Sequence, residues 1–151
     1  MWDRTIDQSE PSVIFQLIYT CALAPSVTSA DLALIAETSA ARNRLNGVTG
    51  VLLCQDGSAM QVLEGVEPVI EAIYDRIRHD ERVSHSLVLL RRKTDQREFP
   101  NWSMGFRQAE PSDRTFDLSP QSFSAAIPPE LSIETKTLSR TFARVNGLAY
   151  A

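Results

Sequence analysis

The sequence predicts an α+β fold in which two helices cover one face of a mixed β-sheet. Three observations carry this prediction. Segments typical of strands and helices follow one another in the order strand, helix, strand, strand, helix, strand. Between the second and third strands, Asp56-Gly57 is a strong hairpin signal. The 151 residues, 43% of them hydrophobic and 23% charged, are enough to form one ordinary buried core.

The first half of the domain contains three strands and one helix. Residues 13–21 are rich in β-branched, aromatic and aliphatic side chains, which favour a buried strand. Thr28-Ser29-Ala30-Asp31 resembles a capping box, so we expect a helix from there to about Asn43. Residues 47–54 and 59–64 are the two strands of the hairpin and should pair antiparallel.

The second half begins with a helix. Pro68 suits a first helical turn, and the apolar residues after it are spaced to form one stripe: Val69, Ile70, Ile73, Tyr74 and Ile77. Residues 86–90 predict a fourth strand and residues 103–106 a fifth. Right-handed crossovers place both helices on the same face, so the predicted topology is ferredoxin-like, βαββαβ with an added strand.

The chain divides into three parts at changes in its composition. We expect a flexible N-terminal segment over residues 1–12, one folded domain over residues 13–107 and a short C-terminal extension over residues 108–151. Helical stretches are predicted in the extension at residues 119–126 and 130–145. The sequence leaves open whether the extension packs on the free face of the sheet or carries a surface for a partner.

Charge and composition exclude several classes of function. The net charge of −4 disfavours binding to nucleic acid. The apolar runs are far shorter than the roughly 20 residues that span a bilayer, and the N-terminal residues lack the apolar core of a secretory signal. We therefore expect a cytoplasmic protein that binds neither nucleic acid nor membrane. Cys21 and Cys54 lie apart from any metal-ligand spacing, so each is interpreted first as a small buried hydrophobic residue.

Three polar residues stand out from the predicted core. Gln61 alternates onto the same strand face as Ala59 and Leu63, where its amide needs hydrogen-bonding partners. Backbone or water is one such partner, and the hydroxyl of Tyr19 is another if the two strands are neighbours. Asn43, at the predicted end of the first helix, fits a C-cap or turn residue as well as a binding role.

Other positions have an equally plain structural interpretation. Ile35 and Ile77 suit the core beneath two neighbouring helices, and they would equally line a slot between them. Arg76, Asp80 and Arg82, near the end of the second helix, are by default solvated charges. No single residue establishes a function.

In combination, these residues resemble the BLUF family of flavin-binding blue-light sensors. The resemblance extends over about residues 13–107, and the order and spacing of its motifs hold along that whole length. The matching segments are Leu17-Ile18-Tyr19-Thr20, Asn43, Gly47-Val48-Thr49-Gly50-Val51-Leu52-Leu53, Met60-Gln61-Val62-Leu63-Glu64-Gly65, Arg76-Ile77, Asp80-Glu81-Arg82 and Phe99-Pro100-Asn101-Trp102-Ser103-Met104.

The resemblance implies a role for each site residue. Tyr19 matches the electron donor to the photoexcited flavin, and Gln61 matches the glutamine between that tyrosine and the ring. Asn43 matches the asparagine at the polar edge of the ring. Ile35 and Ile77 match the aliphatic residues that flank the ring. Arg76 and Asp80 match two residues near the ribityl and phosphate end. Trp102 and Met104 match a pair tied to signal output.

The function implied is that of a blue-light photoreceptor without turnover chemistry. The expected cofactor is oxidised FAD, with FMN as the alternative. A Tyr-Gln-flavin hydrogen-bond rearrangement would signal to a separate, unidentified protein, and we expect a homo-oligomer, a dimer by default. Two other readings stay open: a ferredoxin-like interaction module without cofactor, and a small flavin-dependent enzyme. Against the enzyme, only His79 and His85 offer ordinary general bases, and both lie in a charged stretch.

Three positions depart from the usual family pattern. Val83 stands where a histidine is common, and Arg42 stands where asparagine or histidine is frequent. These two changes bear on recognition of the ribityl and phosphate end. Thr20-Cys21 replaces a more usual pair of serines beside the tyrosine. None of them removes a photochemical residue, so we expect a competent photocycle.

Overall fold

The computed structural model describes residues 10–55, 57–101 and 103–109, together with residues 115–116 and 149–150. The elements of its main domain follow the predicted order: β1 (Ile14–Leu23), α1 (Ser29–Asn46), β2 (Thr49–Gln55), β3 (Ser58–Gly65), α2 (Glu67–Arg78), β4 (Val83–Thr94) and β5 (Gly105–Ala109). Two further short strands, β6 (Thr115–Phe116) and β7 (Ala149–Tyr150), pair parallel with each other.

One five-stranded sheet has the strand order β4-β1-β3-β2-β5. The first four strands pair antiparallel, and β5 runs parallel to β2. This is the predicted mixed, ferredoxin-like sheet. Leu32 of α1 and Ile70 and Tyr74 of α2 belong to a single core cluster with alternate residues of β1 and β3, so both helices lie on one face, as predicted.

The hairpin between β2 and β3 has the predicted two-residue loop, since Gln55 pairs with Ser58. Gly57 has a φ of 78°, which glycine adopts at little cost, whereas Asp56 lies outside the described residues. Farther along β2, Gly50 lies so close to β3 that a Cβ there would come 1.8 Å from the carbonyl oxygen of Val62. Strands β2 and β3 can therefore pair at this register only with glycine at position 50.

The ends of three elements differ from the prediction. Helix α1 continues to Asn46, not Asn43, because Gly47 supplies the left-handed cap at a φ of 67°. Strand β4 is longer than residues 86–90, because outward-facing arginine and lysine side chains suit an edge strand. Strand β5 begins at Gly105, two residues later than predicted, since side chains of the site hold the two preceding residues.

The sheet face opposite the helices is buried along β1 and β3. Its completely buried side chains are Ile14, Gln16 and Ile18 from β1 and Met60, Val62 and Glu64 from β3, each 0% exposed. The helices predicted at residues 119–126 and 130–145, and the N-terminal segment before residue 10, lie outside the described residues.

Candidate functional site

Tyr19 and Gln61 face each other across the two central strands. Their Cα atoms are paired in the β1–β3 register, and both side chains point to the helix-covered face. The hydroxyl of Tyr19 donates a short hydrogen bond to Oε1 of Gln61, and both residues are buried. The register of β1 against β4 shifts between Ile18 and Tyr19, and such bulges are frequent beside functional sites because they redirect a side chain.

The environment of Tyr19 keeps its phenol protonated. Burial raises the pKa of Tyr19 well above its ordinary value, and the nearby Cys21, Cys54 and Tyr74 raise it further. The rings of Tyr19 and Tyr74 are tilted by 51°, with centroids 5.0 Å apart. At neutral pH the Tyr19 hydroxyl is therefore a donor aimed at the Gln61 carbonyl.

The amide nitrogen of Gln61 contacts the β4–β5 connection. Its Nε2 donates to Sδ of Met104 at 3.5 Å, and a thioether is a weak acceptor. The glutamine thus has a strong partner on its oxygen and a weak one on its nitrogen. Met104 is thus in contact with Gln61, whereas Trp102 lies outside the described residues.

Asn43 is not the C-cap of α1, because the helix continues to Asn46 and Gly47 caps it. Asn43 is 4% exposed, and its Nδ2 donates to the backbone carbonyl of Ser103 at 2.7 Å. The side chain also lines a small cavity together with Gln61 and Ile77. Asn43 therefore joins α1 to the β4–β5 connection and presents its amide to the space between the helices.

A groove opens between the two helices above the sheet. Its apolar walls include Ile35 of α1 and Ile77 of α2, both half-buried, and its floor includes Tyr19 and Gln61. Six of the seven predicted cofactor-binding residues line it, and Asn43 lines the adjoining cavity.

Charged residues cluster along the same groove. Arg42, Arg76 and Arg82 line it with a single carboxylate, Asp80. Nε and Nη2 of Arg82 donate to the two oxygens of Asp80 at 3.0 and 2.7 Å, and these bonds hold the pKa of Asp80 at about 2. This edge of the groove therefore carries an excess of positive charge that suits a phosphate.

Arg82 and Arg42 line this groove although neither was predicted as a binding residue. From the sequence, Arg82 was interpreted as a solvated charge, and Arg42 as a departure from the family pattern that bears on the ribityl and phosphate end. The signal lay in helical spacing, since Arg42 precedes Asn43 and lies seven residues after Ile35 on the same face of α1. Ser103 was also missed, because its backbone carbonyl carries no mark in the sequence.

Both cysteines are buried hydrophobic residues, as predicted. Burial raises the pKa of the Cys21 thiol to about 11 and that of Cys54 to about 12, so neither forms a reactive thiolate near neutral pH. Within the described ranges, no three His, Cys, Asp or Glu side chains are grouped to hold a metal ion. Among the described helices, none is long and apolar enough to cross a membrane.

The fold and the groove define a ferredoxin-like domain with a groove between its two helices and a buried tyrosine–glutamine pair at the floor of that groove. Residues 14–105 match the family described as BLUF, sensors of blue-light using FAD, and the chain belongs to this family. No curated protein sequence matches the chain.

Solved structures of BLUF proteins are similar to this chain. BlsA in its photo-activated state is 29% identical, with a TM-score of 0.61 over 65% of this chain and 71% of BlsA. The dark-state structure of BlrB is 27% identical, with a TM-score of 0.61 over 64% of this chain and 74% of BlrB. Klebsiella pneumoniae BlrP1 with FMN and cyclic diGMP is 25% identical, with a TM-score of 0.67 over 86% of this chain and 34% of BlrP1.

Proposed function

We propose that this chain is a blue-light photoreceptor that holds an oxidised flavin in the groove between α1 and α2. Membership of the BLUF family supports the proposal. The observation that carries it is the hydrogen bond from the buried Tyr19 hydroxyl to Gln61 at the floor of an open groove. An oxidisable phenol and a reversible amide in direct contact are the parts that a hydrogen-bond switch requires.

The groove fits a flavin in shape and chemistry. A flavin ring is flat and largely apolar with an imide-like edge, which suits a slot between Ile35 and Ile77 closed by the amide of Asn43. The arginines along the groove suit the phosphate of the ribityl chain, and Arg76 and Asp80 are the residues we assign to that end. We propose FAD as the natural cofactor, with FMN as the alternative.

Tyr19 and Gln61 perform the switch. The bound flavin supplies absorption of blue light and a transient acceptor for one electron and one proton. Tyr19 would give up an electron, and its hydroxyl proton would pass through the Gln61 amide to the same acceptor; both return to Tyr19 as the lit state forms, so the flavin would be oxidised in the dark and lit states. Gln61 is left with its carbonyl and amino ends exchanged, by rotation or by tautomerism, so the net covalent chemistry is nil.

The structure supports a small energy difference between the two amide states. Neutral hydrogen bonds exchanged within a protein differ by about 0.5–1.5 kcal/mol each, and Nε2 of Gln61 loses only a contact with a thioether. A lit state that lasts about a minute would require a barrier of about 20 kcal/mol. A small energy gap and a high barrier together give a reversible and persistent signal.

The signal leaves the site through Met104. When the amide of Gln61 rotates, its carbonyl oxygen faces the Met104 sulfur, which has no proton to donate. The sulfur and the oxygen then avoid each other, so the residues that precede β5 shift. We assign Met104 and Trp102 to this relay, and light changes the population of two arrangements of β5 and its surroundings.

In this proposal the output passes to a separate protein. We propose a homo-oligomer, dimeric by default, in the cytoplasm, where the free thiols of Cys21 and Cys54 would stay reduced. Residues 108–151 form the extension that we propose packs on the second sheet face or on the partner. The complete burial of Ile18 and Val62 on that face supports the first of these placements.

Purification with measurement of bound flavin tests the cofactor assignment. We expect a yellow protein with one flavin per chain, and chromatography of the released flavin distinguishes FAD from FMN. Ile77→Trp, which fills the slot between the helices, should lower flavin occupancy while the fold is retained. Leu87→Trp is the control, because Leu87 is 61% exposed and lies outside the groove. A wild-type protein that takes up no flavin even after reconstitution would refute the proposal and favour an interaction module.

A further inference from the structure

The connection between β4 and β5 is held to β3 on both faces of the sheet. Gln61 and Glu64 lie three residues apart on β3, so their side chains point to opposite faces. On the groove face, Gln61 contacts Met104. On the other face, the carboxylate of Glu64 accepts hydrogen bonds from the backbone N–H groups of Glu98 and Phe99. Strand β3 therefore contacts the connection at Glu98 and Phe99 and again at Met104.

Glu64 is fully buried, at 0% exposure. Its Oε1 accepts from the Phe99 N–H at 2.9 Å, and its Oε2 accepts from the Glu98 N–H at 2.8 Å and from Nε2 of Gln16 at 3.1 Å. Burial raises the pKa of Glu64, while the two backbone N–H groups and Gln16 act to lower it. A buried carboxylate is costly unless its oxygens are satisfied, and here they are satisfied chiefly by the connection.

A closed ring of hydrogen bonds surrounds this carboxylate. Gln16 donates to Glu64 and accepts from Nε of Arg92 at 2.8 Å, and Nη2 of Arg92 donates to Oε1 of Glu98 at 2.6 Å. The backbone N–H of Glu98 completes the ring on Glu64. The ring joins β1, β3 and β4 to the connection. A movement of the connection therefore has to break bonds at Glu64.

The C-terminal end of the connection contacts Gln61 of the proposed switch. Asn43 binds the carbonyl of Ser103 at 2.7 Å, and Gln61 contacts Met104 at 3.5 Å. Phe99, one of the two residues bound by Glu64, is itself 2% exposed and so lies in the core. The Glu64 anchor thus sets where Met104 lies relative to the Gln61 amide, although Glu64 itself does not line the groove.

We propose that Glu64 is a positioning residue that couples the amide state of Gln61 to the β4–β5 connection, and so carries the light signal to the sheet face opposite the flavin groove. This inference rests on the proposed function. With Glu64 in place, displacement of Met104 pulls on the Glu98 and Phe99 bonds. Without it, Gln61 switches as before, but the connection no longer responds.

Glu64→Gln tests the coupling, because an amide keeps the size of the side chain but retains only one acceptor oxygen for its donors. Amide hydrogen exchange is followed at Glu98 and Phe99, in the dark and under blue light, beside the flavin absorption spectrum. In the wild type we expect slow dark exchange at both amides and faster exchange in the light. In the variant we expect dark exchange to rise about tenfold or more, the light-dependent difference to vanish, and the absorption shift to remain.

Glu98→Gln is the matched control. It removes a carboxylate from the same ring but leaves the Glu98 backbone N–H on Glu64, so dark exchange should stay near the wild-type rate and the light response should persist. A Glu64→Gln protein with wild-type exchange, or with an intact light-dependent difference, would overturn the proposal. Loss of the absorption shift in Glu64→Gln would also overturn it, since Glu64 would then belong to the switch itself.

A measurement on the wild type keeps the proposal falsifiable if Glu64→Gln does not fold. The Glu98 and Phe99 amides should exchange far more slowly in the dark than the amide of exposed Asn101, and light should accelerate them without changing the amide of Ile70 in α2. Dark exchange as fast as that of Asn101 would refute the anchor. A wild-type protein that shows no absorption shift would instead refute the proposed function and the signal relay. The dark exchange rates of Glu98 and Phe99 would still show whether Glu64 anchors the connection.

Discussion

Replacement of Tyr19 by phenylalanine separates the photochemistry from the fold. The variant keeps the aromatic ring in the core but removes the hydroxyl that donates to Oε1 of Gln61. A buried carbonyl left without its donor costs about 1–3 kcal/mol. For a chain of this size that corresponds to a melting temperature lower by about 2–12 °C. The variant should therefore fold and bind flavin, yet show no light-induced shift, since phenylalanine offers neither an accessible electron nor a proton.

The assay compares light-minus-dark absorption spectra and thermal unfolding of purified proteins. Tyr74→Phe is the matched control, because Tyr74 is also buried and its ring lies 5.0 Å from that of Tyr19. That variant loses a hydroxyl in the same core but keeps the Tyr19–Gln61 bond, so its light-induced shift should persist. A full shift in Tyr19→Phe would refute the electron-donor role. Loss of the shift in Tyr74→Phe would show that the photochemistry does not depend on Tyr19 alone.

Three more predictions follow from the same geometry. Gln61→Leu should retain flavin but show no long-wavelength shift in its absorption spectrum; survival of the normal shift would reject Gln61 as the switch. Gly50→Ala should destabilise the fold by about 3 kcal/mol or more in urea unfolding, because its Cβ would collide with a backbone carbonyl; wild-type stability would contradict the close strand pairing. The pKa values of Tyr19, Cys21 and Cys54 are all raised in the folded state. Folding stability should therefore be fully present below about pH 9 and fall as the pH rises through 11, whereas equal urea midpoints at pH 8 and 11 would contradict this.

Much of the fold could be predicted because local signals and tertiary packing agree. The Asp56-Gly57 hairpin and the capping box at Thr28 both encode their own geometry within four residues. The apolar stripe of α2 encodes the face that it buries. Element ends were harder to predict, because tertiary contacts decide them. Ser103 and Met104 look like the start of a strand, yet side chains 40 or more residues away hold them short of β5.

The candidate site, like the fold, could be predicted from the sequence only in part. Residue type and strand alternation were sufficient to expect a partner for Gln61, and the register of β1 and β3 confirms Tyr19 as that partner. Asn43 had two interpretations in the sequence, and the C-cap is excluded because α1 continues to Asn46 and is capped by Gly47. The anchor at Glu64 could not be read from the sequence at all, since its partners are backbone N–H groups 34 and 35 residues away.

The light-minus-dark absorption spectrum of the flavin-loaded wild-type protein tests the central claim most directly. The spectrum is taken in the dark, immediately after blue light, and throughout recovery. The account predicts a flavin spectrum that moves slightly to longer wavelength without bleaching and then returns, because only the hydrogen bonds of Gln61 change around an oxidised ring. Bleaching, or a spectrum that light does not alter, would contradict the tyrosine–glutamine switch.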